Sequence, residues 1–293
     1  MTDLFKYTSA ETALLILQNG KVRYSSPLLF NDPFDVQTEL IFDFDINTFP
    51  QIVHEEIEDI IFSRKHVELN SNDEWGQALM LLREKVTTHG YYPEELKAVI
   101  ELFLKYLTGL IDETRKQFNL NWQAFLPRLR VFSMSEINDN ILMWSHYADY
   151  HEGVVFKFKV VPELDTPLSI AKPVIYKHTP PIFFTAKQWI EYILSNKDVD
   201  HQTLNWEYAY IKGATWSYEK EWRVWDLLPT LTEELFSDYE LHPKEVEAIY
   251  FGCKINGEIR KKLIDAARVF NPKIKFYQAQ KSTTVYGLQF VEI

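Results

Sequence analysis

The stretch LFKYTSAETALLILQNGKVRYSS (4–26) decides how the fold of this chain begins. LFKYT (4–8) is typical of a short strand, and Ser9 is placed to cap a helix over AETALLILQN. Gly20 supplies the left-handed residue with which helices commonly end. In KVRYSS (21–26), apolar and basic side chains alternate, which predicts a second strand. The chain is therefore expected to begin with a strand, a helix and a strand.

Further along the chain, strand-like and helical patterns alternate without a regular βα period. This favours an α+β fold over a doubly wound sheet. Apolar residues recur at helical spacing through 46–127, so we expect a helical insertion or subdomain there. The α+β core would comprise 1–45 and 128–293, in a single domain overall. Within that core, LRVFSMS (129–135) and SYEKEWRVWDL (217–227) have the character of strands.

Composition limits the class of protein. The chain has 293 residues, of which 46% are apolar, enough to bury a substantial core. The net charge of −11 argues against a surface that binds nucleic acid as a whole, because phosphate binding depends on Lys and Arg. The single cysteine, Cys253, forms no internal disulfide, and the start of the chain lacks the basic and apolar pattern of a secretion signal. No apolar run is long enough to span a bilayer. We therefore expect a cytoplasmic protein without a membrane partner.

Several common functional motifs are absent from the sequence. GxxxxGK[ST], GxGxxG, HExxH and GxSxG do not occur. His146 and His151 are five residues apart, which places them on different faces of a helix and makes them a poor metal pair. We therefore expect no metal.

Three segments rich in polar and aromatic residues are candidates for one shared site. They are SSPLLFNDPFD (25–35), FSMSEINDNILMWSHYADYHEG (132–153) and WSYEKEWR (216–223). Each alone also has a structural explanation: an Asx-type turn pinned by two rings, a half-buried helix and an ion-paired strand edge. Their joint occurrence in a chain without standard motifs favours a common cleft.

The third segment carries the candidate catalytic residues, Glu221, Glu219 and Arg223. If 217–227 is a strand, these three side chains face one way, about 7 Å apart at each step. In a cleft, the guanidinium of Arg223 would lower the pKa of Glu221. A carboxylate kept ionised beside a sugar can stabilise a developing oxocarbenium ion. On a solvated face, the same residues would form only an ion-paired edge.

The first two segments carry candidate ligand-binding residues. ILMWSHYADYHE (141–152) is predicted to be a helix that ends at Gly153, with rings and histidines on its surface. The first segment offers hydroxyl and amide groups beside aromatic rings. From these two segments we select Ser25, Ser26, Asn31, Ser133, Trp144, His146, Tyr147 and His151.

The chain resembles a largely bacterial family catalogued as domain of unknown function 2971 over most of its length. The resemblance is carried by K-Y (6–7), S-S-P-x-x-F-N-D-P-F-[DE] (25–35), S-x-S (133–135), M-W-x-x-Y-A-x-x-H-x-G (143–153) and W-x-x-E-x-E-W-R (216–223). The family name implies no activity. The resemblance suggests a context of bacterial defence or mobile elements.

A weaker likeness is to ADP-ribosyltransferases, through a first strand, a serine pair and a late E-x-E. It implies a split, mixed or antiparallel sheet with flanking helices and an NAD cleft. The residues that match by position are Lys6 or Tyr7 as the first NAD anchor, Ser25 and Ser26 as the serine motif, Glu219 as the first glutamate and Glu221 as the catalytic one. The chain departs from that pattern because its first strand has no Arg or His, and Pro27 stands where a third serine is expected.

These observations lead to three hypotheses. The first is an NAD-dependent ADP-ribosyltransferase-like enzyme of a bacterial defence or toxin-like type, with NAD as cofactor and a nucleic acid or protein as target. The second is a ligand-sensing or interaction module that binds a small molecule or nucleotide in the same cleft without turnover. The third is a metal-dependent nuclease or phosphoesterase that uses Asp32, Asp35, His146 and Glu221.

Overall fold

The structure, a computed structural model, describes residues 3–45, 47–62, 64, 67–90, 93–195 and 208–293. The chain divides into two compact units. The first consists of Met1–Gln37, Phe125–Thr179 and Tyr210–Ile293, and the second of Thr38–Ala124 and Pro180–Ala209.

The strands, in chain order, are β1 (Leu4–Thr8), β2 (Lys21–Ser25), β3 (Ile41–Asp43), β4 (Leu129–Ser135), β5 (Val154–Phe158), β6 (Lys172–Pro173), β7 (Ile175–Lys177), β8 (Ile182–Thr185), β9 (Ile211–Gly213), β10 (Glu221–Leu227), β11 (Phe236–Glu240), β12 (Val246–Phe251), β13 (Lys275–Lys281) and β14 (Leu288–Glu292). The helices are α1 (Ala10–Asn19), α2 (Phe49–Ile61), α3 (Glu74–His89), α4 (Pro93–Phe125), α5 (Ile141–Tyr147), α6 (Ala186–Leu194) and α7 (Gly257–Phe270).

The first unit is built around one large mixed sheet. Its strands lie in the order β11-β2-β4-β1-β5-β12-β13-β14, while β10 pairs with β4 and carries β6 on its other side. The β12–β13 pair is parallel and the other pairs of this sheet are antiparallel. β7 and β9 form a separate parallel pair. The α+β fold with a mixed sheet predicted from the sequence is confirmed.

The strand, helix and strand at the start of the chain are also confirmed. The Ser9 hydroxyl accepts a hydrogen bond from the backbone N–H of Thr12 at 3.1 Å and caps α1. Gly20 has a φ of 64° and donates its N–H to the carbonyl of Ile16, which ends the helix. Val22 and Tyr24 of β2 are buried, as the alternation requires. Local sequence signals are therefore sufficient to place these three elements.

The core of the first unit lies between the sheet and two helices. α1 and α7 pack against each other and contribute Leu17 and Leu263 to it. Phe156 of β5 and Ile249 of β12 are fully buried in the same cluster. This packing fixes the position of the central strands, which carry several of the polar residues selected from the sequence.

The segment after α5 differs from the predicted helix over 141–152. Asp149, Tyr150 and His151 all have left-handed φ angles, 47°, 52° and 73°, so the α-helix prediction is wrong beyond Tyr147. A Cβ on Gly153 would lie 2.3 Å from the backbone oxygen of Thr8, so the chain passes very close to β1 there. The turn brings the chain into this contact at the start of β5, which a continued helix would prevent.

The second unit is mainly helical. It contains the predicted helical block as α2, α3 and α4, but it also includes 38–45 and 180–209, which are predicted from the sequence to belong to the core. β8 pairs with β3, and α6 packs against α2, where Lys187 forms an ion pair of 3.0 Å with the buried Glu56. Two segments distant in sequence therefore build one unit. Within the described part of the chain, no helix is both long and apolar enough to cross a membrane.

Candidate functional site

The large sheet has a gap on one edge of β4. β10 pairs with β4 along its whole length, but the opposite edge is shared by two strands. β1 meets it at Phe5↔Ser135, and β2 meets it at Ser25↔Val131. Between these two pairings, the ammonium of Lys6 donates a hydrogen bond of 2.7 Å to the carbonyl of Ser133. We call this feature, which comprises Lys6 and Ser133 between β1 and β2, the strand gap.

A cavity of about 450 Å³ lies at the strand gap. Small-molecule sites commonly have volumes of about 300–1,000 Å³. The three segments singled out in the sequence all contribute to its lining. The selected residues that line it are Lys6, Tyr7, Ser25, Asn31, Ser133, His146, Tyr147, Glu219 and Glu221.

Four selected residues lie outside the lining of this cavity: Arg223, Ser26, Trp144 and His151. The Ser26 hydroxyl donates to the carbonyl of Leu126 at 2.8 Å and is fully buried. The Trp144 indole is also fully buried and donates to the carbonyl of Asn138 at 2.7 Å. The ring of His151 lies 3.0 Å from the Ser145 hydroxyl through its Nε2 atom. The contacts of Ser26 and Trp144 give these two side chains a place in the fold that requires no ligand.

Five buried charged side chains from four different parts of the chain meet beside the cavity. Asp35, Lys212, Glu219, Glu221 and Arg223 form what we call the ion network. The Lys212 ammonium lies 2.6 Å from Glu219, 2.9 Å from Glu221 and 3.4 Å from Asp35. Arg223 reaches Asp35 at 2.5 Å through Nη2. Three carboxylates are thus held by two cations, and the solvated strand edge considered for this segment is not what the structure has.

Glu221 is held in its ionised form. Arg223 donates to Oε1 of Glu221 from Nε at 2.8 Å and to Oε2 from Nη2 at 3.0 Å. Burial alone would raise the pKa of Glu221, but the charges of Arg223 and Lys212 outweigh burial and lower it to about 2. The hydroxyl of Ser133 further favours the charged form of this carboxylate. Glu221 therefore carries a negative charge at any pH near neutrality.

Glu219 is positioned by a different backbone conformation from the one predicted. A 3-10 helix over Ala214–Glu219 and a left-handed Lys220, with φ of 47°, precede β10. The strand prediction is therefore wrong for 217–220. The Ser135 hydroxyl donates to the backbone oxygen of Glu219 at 2.6 Å and fixes this turn. The side chains of Glu219 and Glu221 still meet, because both contact Lys212.

A relay of contacts links the three segments at Glu219. The phenol of Tyr147 donates to Oε1 of Glu219 at 2.6 Å, and Asn31, which lines the same cavity, acts on the pKa of Tyr147. Burial, followed by the contact with Glu219, raises the pKa of Tyr147, so the phenol remains a donor. One residue from each segment is thus in contact with the next.

Lys6 has a different electrostatic environment from the ion network. No carboxylate lies within ion-pair distance of its ammonium in the described part of the chain, and its hydrogen bond is to the neutral carbonyl of Ser133. Burial lowers the pKa of Lys6 to about 8, and the charge of Glu221 opposes this only in part. The cavity thus contains an amine close to its titration point near physiological pH.

The geometry gives the metal hypothesis no support. Within 3–45, 47–62, 64, 67–90, 93–195 and 208–293, no group of three or more His, Cys, Asp or Glu side chains is suited to hold a metal ion. Asp35 and Glu221 already contact cationic side chains. Asp32 accepts from the backbone N–H of Phe34 at 2.9 Å and stabilises the loop instead.

Two members of the ion network were not selected from the sequence as catalytic or ligand-binding residues. Asp35 occupies the acidic position that ends the S-S-P-x-x-F-N-D-P-F-[DE] pattern, so the resemblance contained a signal for it. Lys212 lies in the three-residue strand β9 and has no comparable pattern around it. Its role becomes visible only when its neighbours in space are known.

Comparison with known proteins supports the family resemblance. No curated protein and no solved structure matches the chain. Residues 143–224 match the family described as "Protein of unknown function (DUF2971)", which confirms the resemblance to that family over this part of the chain.

Proposed function

We propose that the chain is an ADP-ribosyltransferase-like enzyme that binds NAD in the cavity at the strand gap. The observation that carries this proposal is the pair of buried, adjacent carboxylates, Glu219 and Glu221, which line a ligand-sized cavity. In the proposed reaction, nicotinamide leaves the ribose with the bonding electron pair, and an acceptor hydroxyl or amine attacks the same carbon and loses its proton. Positive charge develops on the sugar between these events, and a fixed carboxylate stabilises it.

The other walls of the cavity are compatible with a dinucleotide. Phe30, Tyr7 and Tyr147 line it and offer aromatic surfaces for a nicotinamide or adenine ring. Lys6 offers a cation without a carboxylate partner in the described residues, which suits a negatively charged pyrophosphate. We further propose a nucleic acid or protein target and a cytoplasmic role in bacterial defence, as the family resemblance suggests.

The proposal is tested by binding and by product formation. The purified chain is titrated with NAD by calorimetry, and nicotinamide release is followed by chromatography. We expect Glu221→Gln to lose most turnover, because it removes charge from the carboxylate pair. Glu240→Gln is the matched control, since Glu240 is an exposed β11 side chain paired with Lys21 at the surface. A folded wild-type protein that neither binds NAD nor releases nicotinamide contradicts the proposal.

A second candidate function is a ligand-binding module without turnover. The observation that favours it is that Lys212 and Arg223 already neutralise much of the charge on the three carboxylates of the ion network. An arrangement of this kind can hold a binding site in shape without taking part in chemistry. NAD that raises the melting temperature while no nicotinamide is released would favour this function over the enzyme.

A further inference from the structure

Two of the three carboxylates that line the cavity, Glu219 and Glu221, differ in how many of their acceptor positions are occupied. A carboxylate offers about four lone-pair sites. Glu221 receives two hydrogen bonds from Arg223 and one from Lys212. About three of its acceptor sites, two of them on Oε2, are therefore occupied by the protein itself.

Glu219 has only about half of its acceptor sites occupied. Among the described residues, its donors are the Tyr147 phenol on Oε1 and the Lys212 ammonium on Oε2, both at 2.6 Å. Its backbone is fixed by the Ser135 hydroxyl, and the preceding carbonyl of Tyr218 accepts from Asn140 at 3.2 Å. The carboxylate is thus held in place with about two lone-pair sites unused.

We propose that Glu219, and not Glu221, is the carboxylate that accepts hydrogen bonds from the ligand, and that Glu221 is a positioning residue. In this arrangement Glu221 holds Arg223 and Lys212, and Lys212 in turn orients Glu219. The ligand group that meets Glu219 carries hydroxyl or N–H donors. This inference rests on the proposed function for the identity of the ligand, which is NAD.

The first test needs no ligand. In a crystal structure of the ligand-free chain that resolves ordered water, we expect one or two water molecules within about 3.2 Å of the Glu219 carboxylate and fewer on that of Glu221. Water is the probe because it occupies acceptor sites that the protein leaves open. Water on Glu221 and none on Glu219 overturns the inference, whether or not NAD is a substrate.

The second test compares Glu219→Gln with Glu221→Gln. Glu219→Gln should weaken NAD binding by about tenfold or more, because a hydrogen bond to a charged acceptor is lost, and should change the melting temperature little. Glu221→Gln should lower the melting temperature by about 5 °C or more and act on kcat more than on NAD affinity, because buried cations lose their partner. Glu240→Gln should change neither quantity.

The outcomes separate the two proposals. If Glu221→Gln weakens NAD binding more than Glu219→Gln while the melting temperature is kept, Glu221 contacts the ligand and the inference is wrong. If wild-type protein does not bind NAD at all, the proposed function fails, and the water positions alone decide the roles of Glu219 and Glu221.

Discussion

Two lysines line the same cavity and have opposite electrostatic environments. Lys212 lies among three carboxylates, and although burial disfavours its charge, Glu221, Asp35 and Glu219 raise its pKa well above the usual value. Lys6 donates to a neutral carbonyl, and burial lowers its pKa to about 8. Burial acts in the same direction on both, so the number of carboxylate partners decides the sign of the shift.

The contrast divides the cavity into two ends with different chemistry. At the ion network, cations and carboxylates largely satisfy one another, and the open acceptor sites include those of Glu219 and Oδ1 of Asp35. At the strand gap, Lys6 retains a charge that no described carboxylate neutralises. A ligand that fits both ends would carry donors at one end and negative charge at the other.

The strongest test of this contrast removes a cation from the ion network. Arg223→Met leaves Glu221 and Asp35 with Lys212 as their remaining cation among the described contacts of this cluster. Removing one partner of a buried ion pair costs about 3–5 kcal/mol. We therefore expect a loss of that size in the free energy of unfolding, measured with urea. The matched control is Arg23→Met, whose surface ion pair with Asp238 should change stability by about 1 kcal/mol or less. Equal losses in the two variants would contradict the buried network.

The second test compares the two lysines directly. Lys212→Met should cost about 3 kcal/mol, because three buried carboxylates lose a shared cation. Lys6→Met should stay within about 1 kcal/mol of wild type, since it removes one hydrogen bond and also a buried unpaired charge. Urea unfolding of both variants measures the difference. If Lys6→Met proves the more costly change, the two environments have been assigned the wrong way round.

A smaller effect is expected from removing the donor that Tyr147 provides. Tyr147→Phe takes one hydrogen bond from Glu219. A hydrogen bond to a charged group contributes about 1.5–3 kcal/mol, and we expect the lower end because water from the cavity can replace it. Unfolding measurements give the cost, with Tyr286→Phe as control because Tyr286 is fully exposed. If the two variants have identical stabilities, the hydrogen bond from Tyr147 to Glu219 contributes nothing to stability and the prediction is wrong.

The smallest effect concerns pH. Because the pKa of Lys6 is about 8 in the folded chain and 10.5 ordinarily, the unfolded state binds more protons between these values. Stability from this group therefore rises with pH across that window, by about 1 kcal/mol for each pH unit. The stability of wild type minus that of Lys6→Met, measured with urea at a series of pH values, should show this rise. The Lys212→Met variant, which keeps Lys6, should still become more stable as the pH rises. A stability difference between wild type and Lys6→Met that falls with pH would contradict the prediction.

Much of the fold could be predicted because its signals are local. Ser9 and Gly20 bound α1 through contacts within a few residues of the chain. The strand alternation placed Glu221 and Arg223 on one face, where they do pair. It failed at 217–220, because the left-handed Lys220 ends a 3-10 turn that alternating residues do not reveal.

The candidate site could be predicted only in part. The three segments were recognisable by composition, and each contributes to the cavity. Composition did not predict which of their residues face the cavity. Trp144 and Ser26, for example, are buried in the core instead. Residue type alone does not distinguish a ring or hydroxyl that contacts a ligand from one that is satisfied within the core.

By itself, the sequence determined the opening strand, helix and strand, the mixed α+β class and the three segments. Caps, turns and alternation act over a few residues and do not depend on the rest of the chain. Only the tertiary structure brought Asp35 to Arg223, 188 residues away, placed Lys212 among three carboxylates and joined 180–209 to the helical unit. The physical reason is that burial and charge pairing depend on neighbours in space, and these neighbours also set the opposite pKa shifts of Lys6 and Lys212.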